Sequence, residues 1–169
     1  MQQPPFKNFN TKAREAIRHA HELAVERGQN HVSSSHLLTA LILQEESIIT
    51  SVLDKLRVDT ILLTDALLDE IEAPEGSQTV SPSYQLYLSP DLAQVIDHSI
   101  KVAGEIGEEF VSVEHLLLAI LDIKCSARDI LLKFKINREN VVNVLESLKS
   151  KDGTVEGGHA STKSLQKYT

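Results

Sequence analysis

The sequence predicts an all-α fold: two tandem four-helix repeats packed as a pseudo-twofold eight-helix domain. A shift of 79 positions lays Asn10–Leu41 on Ser89–Ile120 with 11 of the 32 pairs identical, including VSSSHLL from Val32 and VSVEHLL from Val111. Helix start and stop residues recur at the same offset. No segment sustains the alternation of a strand.

Residues 1–9 read as an N-terminal extension and residues 10–72 as the first repeat. Asn10 is the N-cap of a helix in which Ala13, Ala16, Ile17, Ala20, Leu23 and Ala24 fall at helical spacing, and Gly28 is its stop. Ser33 starts the second helix, with Leu37, Leu38, Leu41 and Ile42 inward. Ser47 caps a third over Ile48, Val52, Leu53 and Leu56. Asp59 caps a fourth through Leu63, Leu67 and Ile71. Residues 73–88, rich in Pro, Gly, Ser and Gln, read as a connector. The second repeat, 89–149, restarts on Ser89-Pro90, an N-cap followed by proline at the first helical position. Gly107 matches Gly28 and Ser112 matches Ser33; Ser126 opens the third helix and Asn137 the fourth. Past Ile120 the offset becomes 78, pairing Leu53 with Leu131 and Val58 with Ile136. Each unit of roughly 65 residues is marginal alone, so the two are expected to share one core. Residues 150–169 are polar and Gly-rich and read as a flexible linker.

Composition narrows the function classes. The 169 residues are 41% hydrophobic and 24% charged, with a net charge of −7. This is the balance of a soluble globular domain with an aliphatic core. It disfavours a nucleic-acid partner, which calls for a basic face. No stretch has the length of a membrane span, and MQQPPFKNFN lacks the pattern of a secretory signal. The single Cys125 cannot form an internal disulfide and suits a reducing compartment.

Few residues suggest chemistry. GGHASTKS (Gly157–Ser164) is one residue from a phosphate-binding loop, but Thr162 stands where the second Gly belongs, and neither a strand nor a helix flanks it; it reads as linker. His19 and His21 point to different faces of one helix. No metal-ligand spacing or catalytic triad is present, so no catalytic, metal or cofactor residue is assigned. Val-Ser-x-x-His-Leu-Leu reads first as a helix start, in which Ser accepts a backbone N–H and Leu-Leu enters the core. His36 and His115 are expected at the interface of the repeats, bonding backbone there. Glu114, where the first copy has Ser35, is open to two readings. It complements the helix dipole, or it grips a cationic group.

With these residues in place, the chain resembles the Clp N-terminal domain that heads the Hsp100/Clp AAA+ unfoldases ClpA, ClpB and ClpC. The likeness rests on the duplicated four-helix unit, the [VI]-[SG]-x-E-H-[LI]-L motif and the x-[ST]-P-x-[AL] restart. It covers about Phe6 to Lys149. The closing LQKYT is similar to the segment leading into the first ATPase module, so the chain is expected to be a fragment cut before that module. SQTVSPSYQLYLSPDL resembles the ClpC connector, whereas QKYT is closer to ClpB; of the two branches ClpC is preferred.

The resemblance implies a tethered domain that binds unfolded or marked protein substrates and adaptor proteins. Its parent would be a homohexameric cytoplasmic ATPase, in the bacterial cytosol or an organelle of bacterial origin, that feeds a Clp protease or rescues aggregates. ATP and Mg would belong to the parent's ATPase modules. The isolated domain would be a monomer without enzymatic activity, with no nucleic-acid or membrane partner. In ClpC-like members each repeat holds a phosphoarginine mark. The Glu of the motif pairs with the guanidinium, and the start of the repeat's first helix holds the phosphate. By this resemblance Glu114 matches the acid and Ser89 the phosphate-side hydroxyl of the second repeat, with Asn10 and Thr11 at the equivalent place in the first. Ser35 departs from the pattern, and Asp91 would repel a phosphate, so at most one mark site is expected. Capture of apolar peptide in a groove is the other mode the resemblance implies. A free-standing helical adaptor is the alternative of a different class; an ATPase coding sequence directly after Thr169 would remove it. Helical DNA binding and hydrolysis are the remaining classes, which retention on heparin or substrate turnover by the chain would revive.

Overall fold

Asn10 opens the first helix by accepting the Ala13 N–H on its Oδ1 at 2.9 Å, supplying a partner that the helix itself lacks. The structure, a computed structural model, describes residues 8–71 and 87–156. Eight helices run through those residues: α1 (Thr11–Glu26), α2 (Ser34–Leu43), α3 (Ile48–Lys55), α4 (Thr60–Ile71), α5 (Pro90–Ile106), α6 (Val113–Asp122), α7 (Ser126–Lys133) and α8 (Arg138–Glu156). Most of the extension, of the connector and of the linker, including GGHASTKS, lies outside the described residues.

The caps expected at α3, α4, α5 and α8 form. Ser47 Oγ accepts from Ile49 N at 3.0 Å, and Asp59 Oδ1 from Ile61 N and Leu62 N at 3.1 and 3.2 Å. Ser89 Oγ accepts from Leu92 N at 3.2 Å, and Asn137 Oδ1 from Asn140 N at 2.9 Å. Gly28 and Gly107 adopt φ values of 68° and 93°, the left-handed region that favours glycine. Beyond them the N–H of Gln29 returns to Ala24 O and that of Glu108 to Ala103 O, a Schellman closure made twice. α8 runs to Glu156, seven residues past the expected boundary at 149. Extending a helix already nucleated costs little, and no glycine interrupts it before Gly153.

One feature was not expected. β1 (His31–Val32) and β2 (Tyr87–Leu88) pair in parallel, His31 opposite Tyr87 and Val32 opposite Leu88. A matching bridge joins Phe9 to Val111. The pairings are related by the internal repeat: Ser89 N donates to Val32 O at 2.8 Å, and Asn10 N to Val111 O at 2.9 Å. Each repeat thus pairs the residue preceding its first helix with the residues preceding the partner repeat's second helix. Two residues are too few to leave an alternating pattern in the sequence. Phe9, assigned by sequence to the extension, is 1% exposed and belongs to the core.

α2 and α6 are apolar on nearly every face and buried along almost their whole length, as central helices must be. They touch each other. Around them α1 meets α6 as α5 meets α2, α2 meets α7 as α6 meets α3, and α4 meets α7 as α8 meets α3. These reciprocal contacts are the pseudo-twofold, and one contiguous aliphatic core spans both repeats.

Candidate functional site

The repeated Ser-x-x-His is a capping box with histidine in the usual Glu or Gln place. Ser33 N donates to His36 Nδ1 at 2.9 Å, and Ser112 N to His115 Nδ1 at 3.0 Å. Because Nδ1 of His36 accepts, Nε2 carries the proton, and it donates to Gln29 Oε1 at 2.7 Å. Gln29 in turn donates through Nε2 to Ile71 O at 2.8 Å, tying the start of α2 to the end of α4. His36 therefore bonds backbone as expected, but these partners lie in its own repeat rather than across the interface. Burial, with smaller contributions from neighbouring cations, lowers its pKa to about 4.

The four residues that the family resemblance singled out fall at two junctions. Ser89 sits against the start of α2, through its bond to Val32 O. Asn10, with the exposed Thr11 beside it, sits against Val111, just ahead of the helix that carries Glu114. The hydrogen bonds across the repeats thus bring Ser89 to Ser35's helix and Asn10 to Glu114's helix, whereas the sequence grouped Ser89 with Glu114. Glu114 is 7% exposed.

At the Ser89 junction the protein supplies its own anion. The Asp91 carboxylate accepts from Ser34 Oγ at 2.8 Å and from Ser89 Oγ. Ser34 Oγ also accepts from Ala127 N at 3.3 Å, and Ser35 Oγ lies 3.0 Å from Ser126 Oγ. Three helix starts converge here on one carboxylate and four serines. Burial pushes the nearby Cys125 thiol up, which keeps it protonated and unreactive. At the Asn10 junction the residue in Asp91's place is Lys12, whose Nζ donates to Glu45 O at 2.8 Å.

A third feature could not be read from sequence. The ends of α2 and α3 and the start of α4 enclose a groove of about 700 Å³, with Ile42, Leu43, Val58 and Ile61 among its walls. Leu43 is 46% and Ile61 72% exposed. Hydroxyls of Thr50, Ser51, Thr60 and Thr64 and the carboxylates of Asp54 and Asp65 complete the lining. The second repeat is a built-in comparison. The offset of 79 holds to the last residue of α6 rather than ending at Ile120, so Leu43 becomes Asp122, and at 78 beyond it Thr60 becomes Arg138. Arg138 Nε bonds Asp122 Oδ1 at 2.8 Å, and His98 Nε2 lies 2.9 Å from Asp122 Oδ2. An ion pair thus stands where the first repeat is open and apolar. A single-residue deletion between α6 and α7 and these polar replacements were visible in the sequence; that they fall at a groove was not.

The duplicated helices, exchanged pairings and shared core define a class, a helical double-repeat domain built around an internal twofold. The chain belongs to the family described as the Clp repeat (R) N-terminal domain, whose pattern matches residues 8–134. It is 28% identical over 167 residues to the chaperone protein ClpB of Bacteroides thetaiotaomicron, covering 96% of this chain and 19% of that protein. The chain thus spans about a fifth of the length of the curated relative. ClpB is the branch that the QKYT ending resembles. Among solved structures, the Hsp104 N-terminal domain from Candida albicans matches with a TM-score of 0.70 at 21% identity, covering 80% of this chain and 87% of that one. A ClpV N-domain in complex with a VipB peptide matches with a TM-score of 0.63 at 18% identity, covering 83% and 91%. These likenesses show the fold. No single helix among the described residues is long and apolar enough to cross a membrane.

Proposed function

We propose that the chain is the substrate- and adaptor-recognition domain of a Clp-type ATPase, and that it captures peptide in the groove of the first repeat. The observation that carries this is the asymmetry between repeats. Duplicated helices give both copies the same backbone, yet one presents exposed Leu43 and Ile61 beside a cavity and the other an ion pair. Exposed apolar side chains lining a concavity mark interaction surfaces more than scattered ones do. The ClpV N-domain solved in complex with a VipB peptide supports peptide binding by this fold. In the parent, a hexamer whose other modules hold ATP and Mg, captured segments would pass to the central pore. An amide-resolved NMR titration of the 169-residue chain with reduced, carboxymethylated α-lactalbumin tests this. Shifts are expected at residues 42–43, 50–54 and 58–65, and Leu43→Asp should abolish them. Shifts confined to other faces would refute the groove as the capture site.

Phosphoarginine reading is the finer proposal, and the observation favouring one junction is the exchange of Asp91 for Lys12. The α5 start already holds a carboxylate, which excludes a second anion. The α1 start offers Lys12, Asn10 and Thr11 to a phosphate, with Glu114 on the adjoining helix for a guanidinium. Titration with free phosphoarginine should then move Asn10–Ala13 and Glu114–Leu116 but not Ser89–Leu92. An unchanged spectrum at millimolar ligand would eliminate mark reading.

A further inference from the structure

From the lining of the same groove, and resting on its assignment as the capture site, we infer that its occupant is an apolar segment of another protein carrying a lysine or arginine. Asp54 on α3 and Asp65 on α4 stand on different walls, with Ile42, Leu43, Val58 and Ile61 lining the same groove. Both carboxylates are exposed, and neither is ion-paired or hydrogen-bonded among the described residues. Lys55 and Arg57 follow Asp54 in the chain, but neither lines the groove. The second repeat places its acids elsewhere, Asp129 for Ser51 and Glu139 for Ile61, but none at the positions of Asp54 and Asp65. At the offset of 78 the second repeat has Leu132 for Asp54 and Asn143 for Asp65. Two unneutralised acids flanking apolar walls repel an acidic segment and attract a basic one, so charge sets which apolar sequences are accepted. Hydroxyls of Thr50, Ser51, Thr60 and Thr64 can accept the remaining N–H donors of a lysine or guanidinium.

The test uses three fluorescent 12-residue peptides, identical in their leucines and valines, with a central pair of Lys, Gln or Glu. Anisotropy titrations at low salt are run with the 169-residue chain, with Asp54→Asn/Asp65→Asn, and with Leu43→Asp. The Lys peptide should bind about three- to tenfold more tightly than the Gln peptide, and the Glu peptide more weakly still. In Asp54→Asn/Asp65→Asn the Gln peptide should keep its affinity while the Lys preference falls below about twofold; added salt should have the same effect. Equal affinity of the three peptides, or a Lys preference that survives in the double variant, would overturn the inference and leave groove capture standing. Binding of no peptide, or binding untouched by Leu43→Asp, would overturn both. Both acids lie on the surface, so an unshifted thermal melt separates lost recognition from lost folding.

Discussion

At the scale of the residue, His36 ties a helix start to protonation. Its Nδ1 must accept from the Ser33 N–H, so a proton there would set two donors against each other. The folded state holds His36 at about 4, against 6.5 for the ordinary side chain. Between these values the unfolded chain binds a proton that the folded chain does not. Stability is therefore complete above pH 6.5 and falls progressively towards pH 4, by a total on the order of 2–3 kcal/mol. Urea titrations from pH 7.5 to 4 should record this decline. His36→Gln, which retains an acceptor for the box, should flatten it over the same range; an unchanged slope would assign the decline to other groups. The sequence showed Ser33 as a cap because capping depends on neighbours three residues away. It did not show the histidine as acceptor, because that role depends on Gln29 occupying Nε2.

At the scale of the element, α3 and α7 end in the same unusual way. Arg57 and Lys135 adopt φ values of 60° and 64° without being glycine. Their amides and those that follow close the helices through Asp54 O and Leu53 O, and through Leu132 O and Leu131 O. A side chain in this region costs about 1 kcal/mol, partly offset by the unfolded-state entropy of glycine. Arg57→Gly should thus stabilise the domain by about 0.5 kcal/mol, seen as a higher denaturation midpoint at constant m. A loss of stability would show that Arg57 makes a compensating contact. The groove gives a second prediction. Asp122→Leu with Arg138→Thr copies first-repeat residues into the second, and calorimetry with a basic apolar peptide should then find two sites where the native chain has one. Helix order, caps and glycine stops were legible in the sequence because they are local. The groove was not, since Leu43 and Ile61 have the same letters as core residues and only packing shows them exposed.

At the scale of the molecule, the exchanged pairings tie the repeats into one cooperative unit. Phe9 reaches across to Val111 and is 1% exposed, so Phe9→Ala should cost about 3 kcal/mol or more. Circular dichroism and thermal denaturation of that variant should show one transition, lowered for both repeats together. Two separated transitions would mean that the halves are energetically independent. A polypeptide covering residues 8–71 alone should lack a cooperative melt, since α2 would lose the cover of α5, α6 and α7. The same reciprocity has a further consequence. The backbone pairings and helix contacts that one repeat makes to the other are returned, as at an interface between identical subunits. Severed between residues 72 and 86, the two halves would still find each other in solution, and an ancestor with a single copy would have met the same demands as a homodimer. Within one chain each half could then drift, as the open groove of one and the Asp122–Arg138 ion pair of the other illustrate.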